Sequence, residues 1–117
     1  MEKKFLLADD DGDDRQLFCE ALQAVEPTVI CYCAANGLEA LDILSKKEKP
    51  DLIFLDINMP AMNGWQCLKT IKETESYRHI PVLMYSTSAH QRDIEIALDL
   101  GALCFFTKPH NFNELKN

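Results

Sequence analysis

The feature of this sequence that most constrains its fold is a regular alternation of short apolar runs with longer amphipathic segments. The apolar runs occupy residues 5–8, 28–34, 52–55, 81–85 and 103–107. They are continuous rather than alternating with polar residues, which is typical of strands that are covered on both faces of a parallel sheet. Their starts recur about every twenty to thirty residues, a spacing that suits right-handed βαβ units.

The segments between the runs carry apolar residues at helical spacing. These residues are Leu17, Phe18, Ala21, Leu22 and Val25, then Leu38, Leu41 and Leu44, then Trp65, Leu68 and Ile71, and finally Ile94, Ala97 and Leu98. Gly101 is well placed to end the fourth helix, and residues 111–117 leave room for only about two turns of a fifth. The pattern predicts a single doubly wound α/β domain over residues 1–117, and it leaves the strand order open.

The charge balance excludes several classes of partner. The chain has 19 acidic and 12 basic side chains, for a net charge of −7. Direct nucleic-acid binding needs a basic surface, and docking to an anionic membrane needs basic clusters, so we expect neither. The sequence lacks an apolar run of the ~18 residues that span a bilayer, and its first apolar run is too short for a signal peptide. We therefore expect a cytoplasmic protein.

The cysteines offer no recognisable disulfide or metal pattern. They are Cys19, Cys31, Cys33, Cys67 and Cys104. The number is odd and the spacing is scattered, and Cys31 and Cys33 form C-x-C rather than the C-x-x-C of thioredoxin-like sites. The three histidines (His79, His90 and His110) do not supply zinc-ligand spacing either. We expect the cysteines to be small buried apolar residues.

Polar residues directly follow four of the five apolar runs. They are Asp9, Asp10 and Asp11 after the first run, Asp56 after the third, Ser86 and Thr87 after the fourth, and Lys108 after the fifth. Ligands of doubly wound sheets bind outside the carboxyl ends of the strands, so these side chains should meet at one edge. Oxygen ligands suit Mg²⁺ or Ca²⁺ better than zinc. A carboxylate can also act as a nucleophile and form an aspartyl phosphate, whose oxygens a lysine and a hydroxyl could hold.

The acidic stretch 9–14 also resembles a calcium loop, and this alternative fails on its ligands. If Gly12 were the invariant glycine of an EF-hand, the first and last ligand positions would be Leu7 and Phe18, which cannot bind calcium. Asp13 and Asp14 are better explained as first-turn residues of the first helix, favoured by its dipole. Asp9 and Asp10, which follow a strand, remain candidate metal ligands.

Four motifs together resemble a known family. They are FLLADD at the first strand, DLIFLDINMPAMNGWQCL around Asp56, PVLMYSTSA at the fourth strand and FFTKP at the fifth. The chain resembles, over residues 4–115, the receiver domain of bacterial two-component response regulators of the chemotaxis-type, single-domain kind. The resemblance implies a flavodoxin-like fold with five parallel strands in the order 2-1-3-4-5.

The same resemblance implies a site. Asp56 would be the phosphoacceptor, and Asp10 and Asp56 would bind Mg²⁺ through their side chains. Asp9 would act on the ion through water, and Asn58 would offer its backbone carbonyl.

The resemblance also implies a switch and a departure from the family pattern. Ser86 falls at the hydroxyl switch position, with Thr87 in the small-residue place after it, and Lys108 matches the lysine that pairs with the phosphate. Phe105 occupies the aromatic switch position, where tyrosine is common. The last helix should be short or truncated, which reduces the output surface and exposes part of one sheet face. We therefore expect weak self-association.

These observations predict a phosphorylation-dependent switch. A histidine kinase or phosphotransfer protein would phosphorylate Asp56, and the modified surface would change its affinity for an output protein that the sequence does not identify. One alternative is a phosphatase or phosphotransferase acting on small substrates, although 117 residues leave little room for a substrate cap. A second alternative is a degenerate receiver that serves only as an interaction module, and the complete set of site residues argues against it.

Overall fold

The computed structural model describes residues 3–47, 49–87 and 90–108, and within them it contains one five-stranded parallel sheet. The strands are β1 (Lys4–Ala8), β2 (Ile30–Ala34), β3 (Leu52–Asp56), β4 (Val82–Ser86) and β5 (Cys104–Thr107). Their order across the sheet is β2-β1-β3-β4-β5. The predicted doubly wound fold and its strand order are therefore confirmed.

Helices connect successive strands. They are α1 (Gly12–Val25), α2 (Gly37–Lys46), α3 (Gly64–Glu73) and α4 (Gln91–Asp99). Asp11 caps α1, Asn36 caps α2 and Asn63 caps α3, since each side chain accepts hydrogen bonds from free backbone N–H groups of the first turn. None of the helices in the described residues is long and apolar enough to cross a membrane. The predicted short helix over residues 111–117 lies outside the described part of the chain.

Three strands, β2, β4 and β5, begin one or two residues later than their apolar runs predict. The run 28–34 yields a strand only from Ile30, because the N–H of Val29 donates to the carbonyl of Glu26 in a turn (3.0 Å). At the other end of the chain, Gly101 follows the last residues of α4 with φ of 101°, a left-handed conformation that glycine adopts without strain. The predicted end of the fourth helix is thus correct.

Both faces of the sheet are covered by apolar side chains. On β1, Leu6 and Ala8 pack into a cluster on one face, whereas Phe5 and Leu7 pack into a second cluster on the other. All four are at most 8% exposed. A strand buried on both faces needs a continuous apolar sequence, and this explains why the runs do not alternate with polar residues.

The expectation that the cysteines are buried apolar residues is wrong for most of them. Cys67 is buried in the core, but Cys33 is exposed and Cys19, Cys31 and Cys104 are half-buried. Cys31 and Cys33 lie on β2 and Cys104 lies on β5, which are the two edge strands of the sheet, whereas Cys19 lies on α1. One side of an edge strand has no neighbouring strand, so apolar character does not imply full burial.

Candidate functional site

The carboxyl ends of three strands bring charged side chains together. Asp56 is the last residue of β3, Asp9 directly follows β1, and Lys108 directly follows β5. The backbone N–H of Asp9 donates to the carbonyl of Ala34 (3.0 Å), and that of Lys108 donates to the carbonyl of Ser86 (2.6 Å). Because these bonds fix the backbone on both sides of the site, the side chains meet at the sheet edge as the sequence predicts.

The ammonium group of Lys108 lies between three carboxylates. Its Nζ atom is 3.0 Å from Oδ2 of Asp9 and 3.2 Å from Oδ2 of both Asp56 and Asp14. The lysine side chain is only 8% exposed. Burial lowers the pKa of Lys108, but the carboxylates outweigh that effect, and the net result is a raised pKa. The lysine is therefore fully charged at neutral pH.

Asp9 is held on both of its carboxylate oxygens. Its Oδ1 accepts from the backbone N–H of Asp11 (3.0 Å), and its Oδ2 accepts from the hydroxyl of Tyr85 (3.0 Å) as well as from Lys108. Arg15 donates from Nη1 to the carbonyl oxygen of Asp9 (2.6 Å). Only 1% of Asp9 is exposed, so these contacts replace its hydration and fix its orientation.

Three carboxylates form a candidate cation site. One oxygen from each of Asp9, Asp10 and Asp56 can be chosen so that all lie within 4.8 Å of one another. Asp10 is exposed, whereas the other two are buried. The donors are hard oxygens, without the nitrogen or sulfur that zinc and copper prefer, and they fit Mg²⁺ or a similar ion.

The carboxyl group of Asp56 is unusually reluctant to ionise. Burial raises the pKa of Asp56 to about 6, the positive charge of Lys108 lowers it, and the negative charge of Asp9 raises it. Burial has the largest effect because Asp56 is only 5% exposed. A raised pKa from burial and like charge is common at functional sites, and a bound cation would oppose it.

A cavity of about 380 Å³ opens onto this group of side chains. It is lined by Asp10, Asp11, Asp14, Asp56, Asn58, Thr87 and Lys108. The lining combines carboxylates with the lysine ammonium, so it can hold both a cation and an anion. Asn58, which the resemblance placed near the metal, lies at this cavity.

The loop after β3 is held tightly beneath Asp56. The N–H of Gly64 donates to the carbonyl of Ile57 (2.8 Å), and a Cβ atom at Gly64 would clash with the carbonyl oxygen of Asp56. The carbonyl of Met62 accepts from the N–H of Gly37 (3.0 Å), which ties the loop to the start of α2. These contacts explain why glycine occupies the end of the loop between the third apolar run and the third helix, because only glycine permits such a close backbone approach.

Comparison with known proteins identifies the family. The model of the response regulator receiver domain matches residues 5–117. The chain belongs to the response regulator receiver family. This receiver is 35% identical over 117 residues to sporulation initiation phosphotransferase F of Bacillus subtilis, a match that covers 100% of this chain and 90% of that protein. The family resemblance that the motifs indicated is therefore confirmed.

Solved structures of receivers agree with the fold in detail. The phosphorylated cyanobacterial phytochrome response regulator RcpA is 33% identical, with a TM-score of 0.90 over 99% of this chain and 87% of RcpA. The Mn²⁺-bound form of response regulator Rcp1 is 28% identical, with a TM-score of 0.86 over 97% of this chain and 89% of Rcp1. Receiver domains are phosphate-accepting domains of two-component signalling, and they bind Mg²⁺ or Mn²⁺ at an acidic pocket.

The two residues predicted to form the receiver's switch lie on adjacent strands. Ser86 ends β4 and is 5% exposed, and the next residue, Thr87, lines the cavity. Phe105 lies on β5 opposite Met84 and packs, partly buried, against the core. Their placement is compatible with the predicted roles, which stay predictions.

Two side chains of this receiver site were not singled out from the sequence. Asp14 is in the first turn of α1, as predicted, but it also contacts Lys108 and lines the cavity. Tyr85 was predicted only as part of a strand, yet its hydroxyl contacts Asp9. Asp10 precedes α1, so helical spacing gave no signal that Asp14 would reach the site.

Proposed function

We propose that Asp56 accepts a phosphoryl group from a phosphohistidine of a histidine kinase or phosphotransfer protein, and that this modification switches protein contacts. The observation that carries the proposal is a buried Asp56 carboxylate at the end of β3, 3.2 Å from the ammonium of Lys108, beside an acidic cavity. Receiver domains interact with such kinases, phosphotransfer proteins and output partners. The similar protein RcpA is known in a phosphorylated form, which supports the same chemistry here.

The reaction would be a Mg²⁺-dependent transfer. Asp10 and Asp56 would hold the ion by their side chains, Asn58 by its backbone carbonyl, and Asp9 through a water molecule. Both oxygens of Asp9 already accept hydrogen bonds, which favours this indirect role. When bound, Mg²⁺ supplies positive charge that offsets the carboxylates and the phosphoryl oxygens.

Asp56 and Lys108 would carry out the remaining steps of the transfer. An oxygen of Asp56 attacks phosphorus, the O–P bond forms, and the P–N bond to the donor imidazole breaks. Lys108 neutralises the added negative charge by donating to a phosphoryl oxygen. Because its ammonium already touches Asp56, it needs no large movement to do so.

The phosphorylated state would be transmitted through Ser86 and Phe105. The hydroxyl of Ser86 would move to bond the phosphoryl group, and Phe105 would turn into the space that is vacated. The surface near α4 and β5 would then bind a different set of proteins, among them an output partner not yet identified.

Three further expectations stay predictions. They are that residues 1–117 form one receiver domain, that the protein is located in the cytoplasm, and that it self-associates weakly.

The protein would act as a phosphoacceptor and not as an enzyme on external substrates. Asp56 would be phosphorylated once per chain, and the resulting aspartyl phosphate would then be hydrolysed slowly. The test is intact-mass spectrometry after incubation with acetyl phosphate, with and without Mg²⁺, on the wild type and on Asp56→Asn. We expect one phosphoryl group on the wild type, dependent on Mg²⁺ and sensitive to hydroxylamine, and none on Asp56→Asn.

Asp51→Asn is the matched control, because Asp51 precedes the opposite end of the same strand and is exposed. It should be labelled like the wild type. Full labelling of Asp56→Asn would overturn the site assignment, and the absence of any Mg²⁺-dependent label on the wild type would overturn the function. Many turnovers of acetyl phosphate per protein, without accumulation of the modified chain, would favour an enzyme.

A further inference from the structure

Three cysteines that are scattered in the sequence meet between α1 and the outer strand of the sheet. We call Cys19, Cys31 and Cys33 the thiol cluster. Cys31 and Cys33 are two residues apart on β2, so their side chains leave the same face of the strand. Cys19 lies on α1, and its Sγ atom is 3.3 Å from that of Cys33. This distance corresponds to contact between the sulfurs, with one thiol donating a hydrogen bond to the other.

The surroundings of the cluster make its thiols unequal. A hydrogen bond from Cys19 lowers the pKa of the Cys33 thiol to about 7, burial opposes that effect, and the positive charge of Arg15 lowers the pKa further. Hydrogen bonds to Cys31 and Cys33, followed by burial, raise the pKa of Cys19. Cys33 is also the exposed member of the cluster, so a solvent-borne reagent reaches it. Exposure together with thiolate character is what makes a cysteine reactive.

We propose that the thiol cluster is an oxidation site, at which a peroxide attacks Cys33 and Cys19 then forms a disulfide with it, linking α1 to β2. The proposal concerns residues outside the acidic cavity, and it does not depend on phosphorylation of Asp56. The oxidant belongs to the class of hydrogen peroxide and small organic hydroperoxides.

The chemistry balances in two steps. The Cys33 thiolate attacks one peroxide oxygen, the O–O bond breaks, and hydroxide leaves while Cys33 becomes a sulfenic acid. The sulfur of Cys19 then attacks the sulfur of Cys33, the S–O bond breaks, the S–S bond forms, and the hydroxide takes the proton of Cys19 to leave as water. Each sulfur gives up one electron, and the peroxide is reduced by two.

Geometry selects Cys19 over Cys31 as the second thiol. The sulfurs of Cys19 and Cys33 are in contact at 3.3 Å and need to approach by about 1.3 Å to reach the ~2.0 Å of a disulfide. Cys31 and Cys33 are separated by about 6.6 Å along an extended strand, close to the upper limit for a disulfide. The edge position of β2 also allows the approach, because only β1 restrains this strand within the sheet.

The chain supplies two internal controls. Cys67 is buried in the core, and burial raises the pKa of its thiol to about 12, so it should stay reduced. Cys104 is half-buried on β5, at the opposite edge of the sheet from the cluster. Neither residue belongs to the cluster, and neither should form the link.

The test is peptide mapping of the folded wild-type protein after treatment with a small molar excess of hydrogen peroxide and alkylation of the remaining thiols. Cleavage after Glu20 and Tyr32 places the three clustered cysteines on separate peptides. We expect a linked pair containing Cys19 and Cys33 that dithiothreitol separates. Cys33→Ser should lower the rate of loss of the clustered thiols at least about tenfold, whereas Cys104→Ser should leave it unchanged.

The map distinguishes the rival outcomes without relying on any variant. The proposal would be overturned by a link between Cys31 and Cys19 or by a link between two chains. It would also be overturned if Cys33 stayed unlinked after the other clustered thiols had been fully oxidised. Cys31→Ser sharpens the result, because it should still form the Cys19–Cys33 link. A circular dichroism spectrum before and after oxidation should stay that of the folded protein, and loss of the fold before the link forms would also count against it.

Discussion

The acidic cluster, which consists of Asp9, Asp14, Asp56 and Lys108 at the carboxyl ends of the strands, and the thiol cluster beside β2 lie at different depths in the molecule. Asp9, Asp56 and the Lys108 side chain are each at most 8% exposed, and backbone hydrogen bonds from neighbouring strands hold the two ends of the arrangement. Cys33 is exposed, and its strand has a neighbour on one side only. The acidic cluster is therefore held in place by the backbone of the sheet, whereas the thiol cluster lies at an edge strand.

The difference in depth determines the chemistry that each cluster suits. Burial makes the carboxyl group of Asp56 reluctant to ionise, and its position beside Lys108 favours binding of a cation and a phosphoryl group, because water competes poorly there. The exposed thiol of Cys33 ionises more easily because Cys19 donates a hydrogen bond to it and Arg15 carries a positive charge nearby, and such a thiol reacts with oxidants from solvent. The two proposed modification sites, one protected and one accessible, thus lie at separate parts of one fold.

The largest expected effect tests the rigid backbone under the acidic cluster. In Gly64→Ala the new methyl would meet the backbone of Asp56 and Ile57, so we expect the free energy of unfolding to fall by about 2–3 kcal/mol. Urea unfolding followed by circular dichroism measures it. Gly12→Ala is the control, because its Cβ would meet only the end of Arg15 at 3.4 Å, and its effect should stay within about 0.5 kcal/mol. Equal effects of the two substitutions would show that this backbone is not rigid.

The second prediction uses the raised pKa of Asp56, which is about 6. The folded protein then binds the proton more tightly than the unfolded chain, so the stabilisation is fully present below about pH 4 and is lost as the pH rises through about 6. Without divalent cations, we expect the free energy of unfolding to decrease over that window. Asp56→Asn should remove this component and stabilise the protein by about 1–3 kcal/mol at pH 7. Unfolding curves measured from pH 4 to pH 8 in the presence of a chelator test this prediction. An unchanged pH profile in the variant would contradict the assignment of this pH dependence to Asp56.

The third prediction removes one contact of the acidic cluster. Tyr85→Phe deletes the hydroxyl that donates to Asp9 and leaves the ring in place, so we expect a loss of about 1–2 kcal/mol in unfolding free energy. Tyr32→Phe, on the outer strand β2, is the control and should have a smaller effect. If Tyr85→Phe is as stable as the wild type, the hydrogen bond to Asp9 contributes nothing net.

The smallest expected effect lies in the thiol cluster. Cys33→Ser replaces an exposed thiol with a hydroxyl of similar shape, so under reducing conditions the free energy of unfolding should change by less than about 0.5 kcal/mol. The same urea experiment measures it, with Cys104→Ser as the control. A loss comparable to that of Gly64→Ala would mean that the thiol cluster is as structurally constrained as the acidic one, and the contrast between them would disappear.

Most of the fold was predictable because the burial of a strand or helix determines the order of apolar and polar residues along its sequence. Continuous apolar runs marked the five strands, and the spacing of apolar residues marked the four helices that the structure describes. The convergence of Asp9, Asp56 and Lys108 was also predictable, since residues that follow parallel strands share an edge. The start of β2 was less predictable, because the turn at Val29 depends on a backbone hydrogen bond that its apolar side chain does not indicate.

The side-chain contacts that complete the site were not predictable in the same way. Whether Asp14 points at solvent or at Lys108 depends on the angle at which α1 leaves the strand. Whether the hydroxyl of Tyr85 finds a partner depends on the register of β4 against β3 and β1. Neither quantity is local, so residue type and spacing carry only weak information about it.

The sequence by itself determined the fold class, the edge at which chemistry occurs and the oxygen character of that site, because these follow from residue type and period. Only the tertiary structure decided the spacing of the carboxylates around Lys108 and the burial that raises the pKa of Asp56. The same is true of Cys19 and Cys33, which are fourteen residues apart in the chain and 3.3 Å apart in space. Distances of that kind arise when a helix packs on a strand, and no local pattern encodes them.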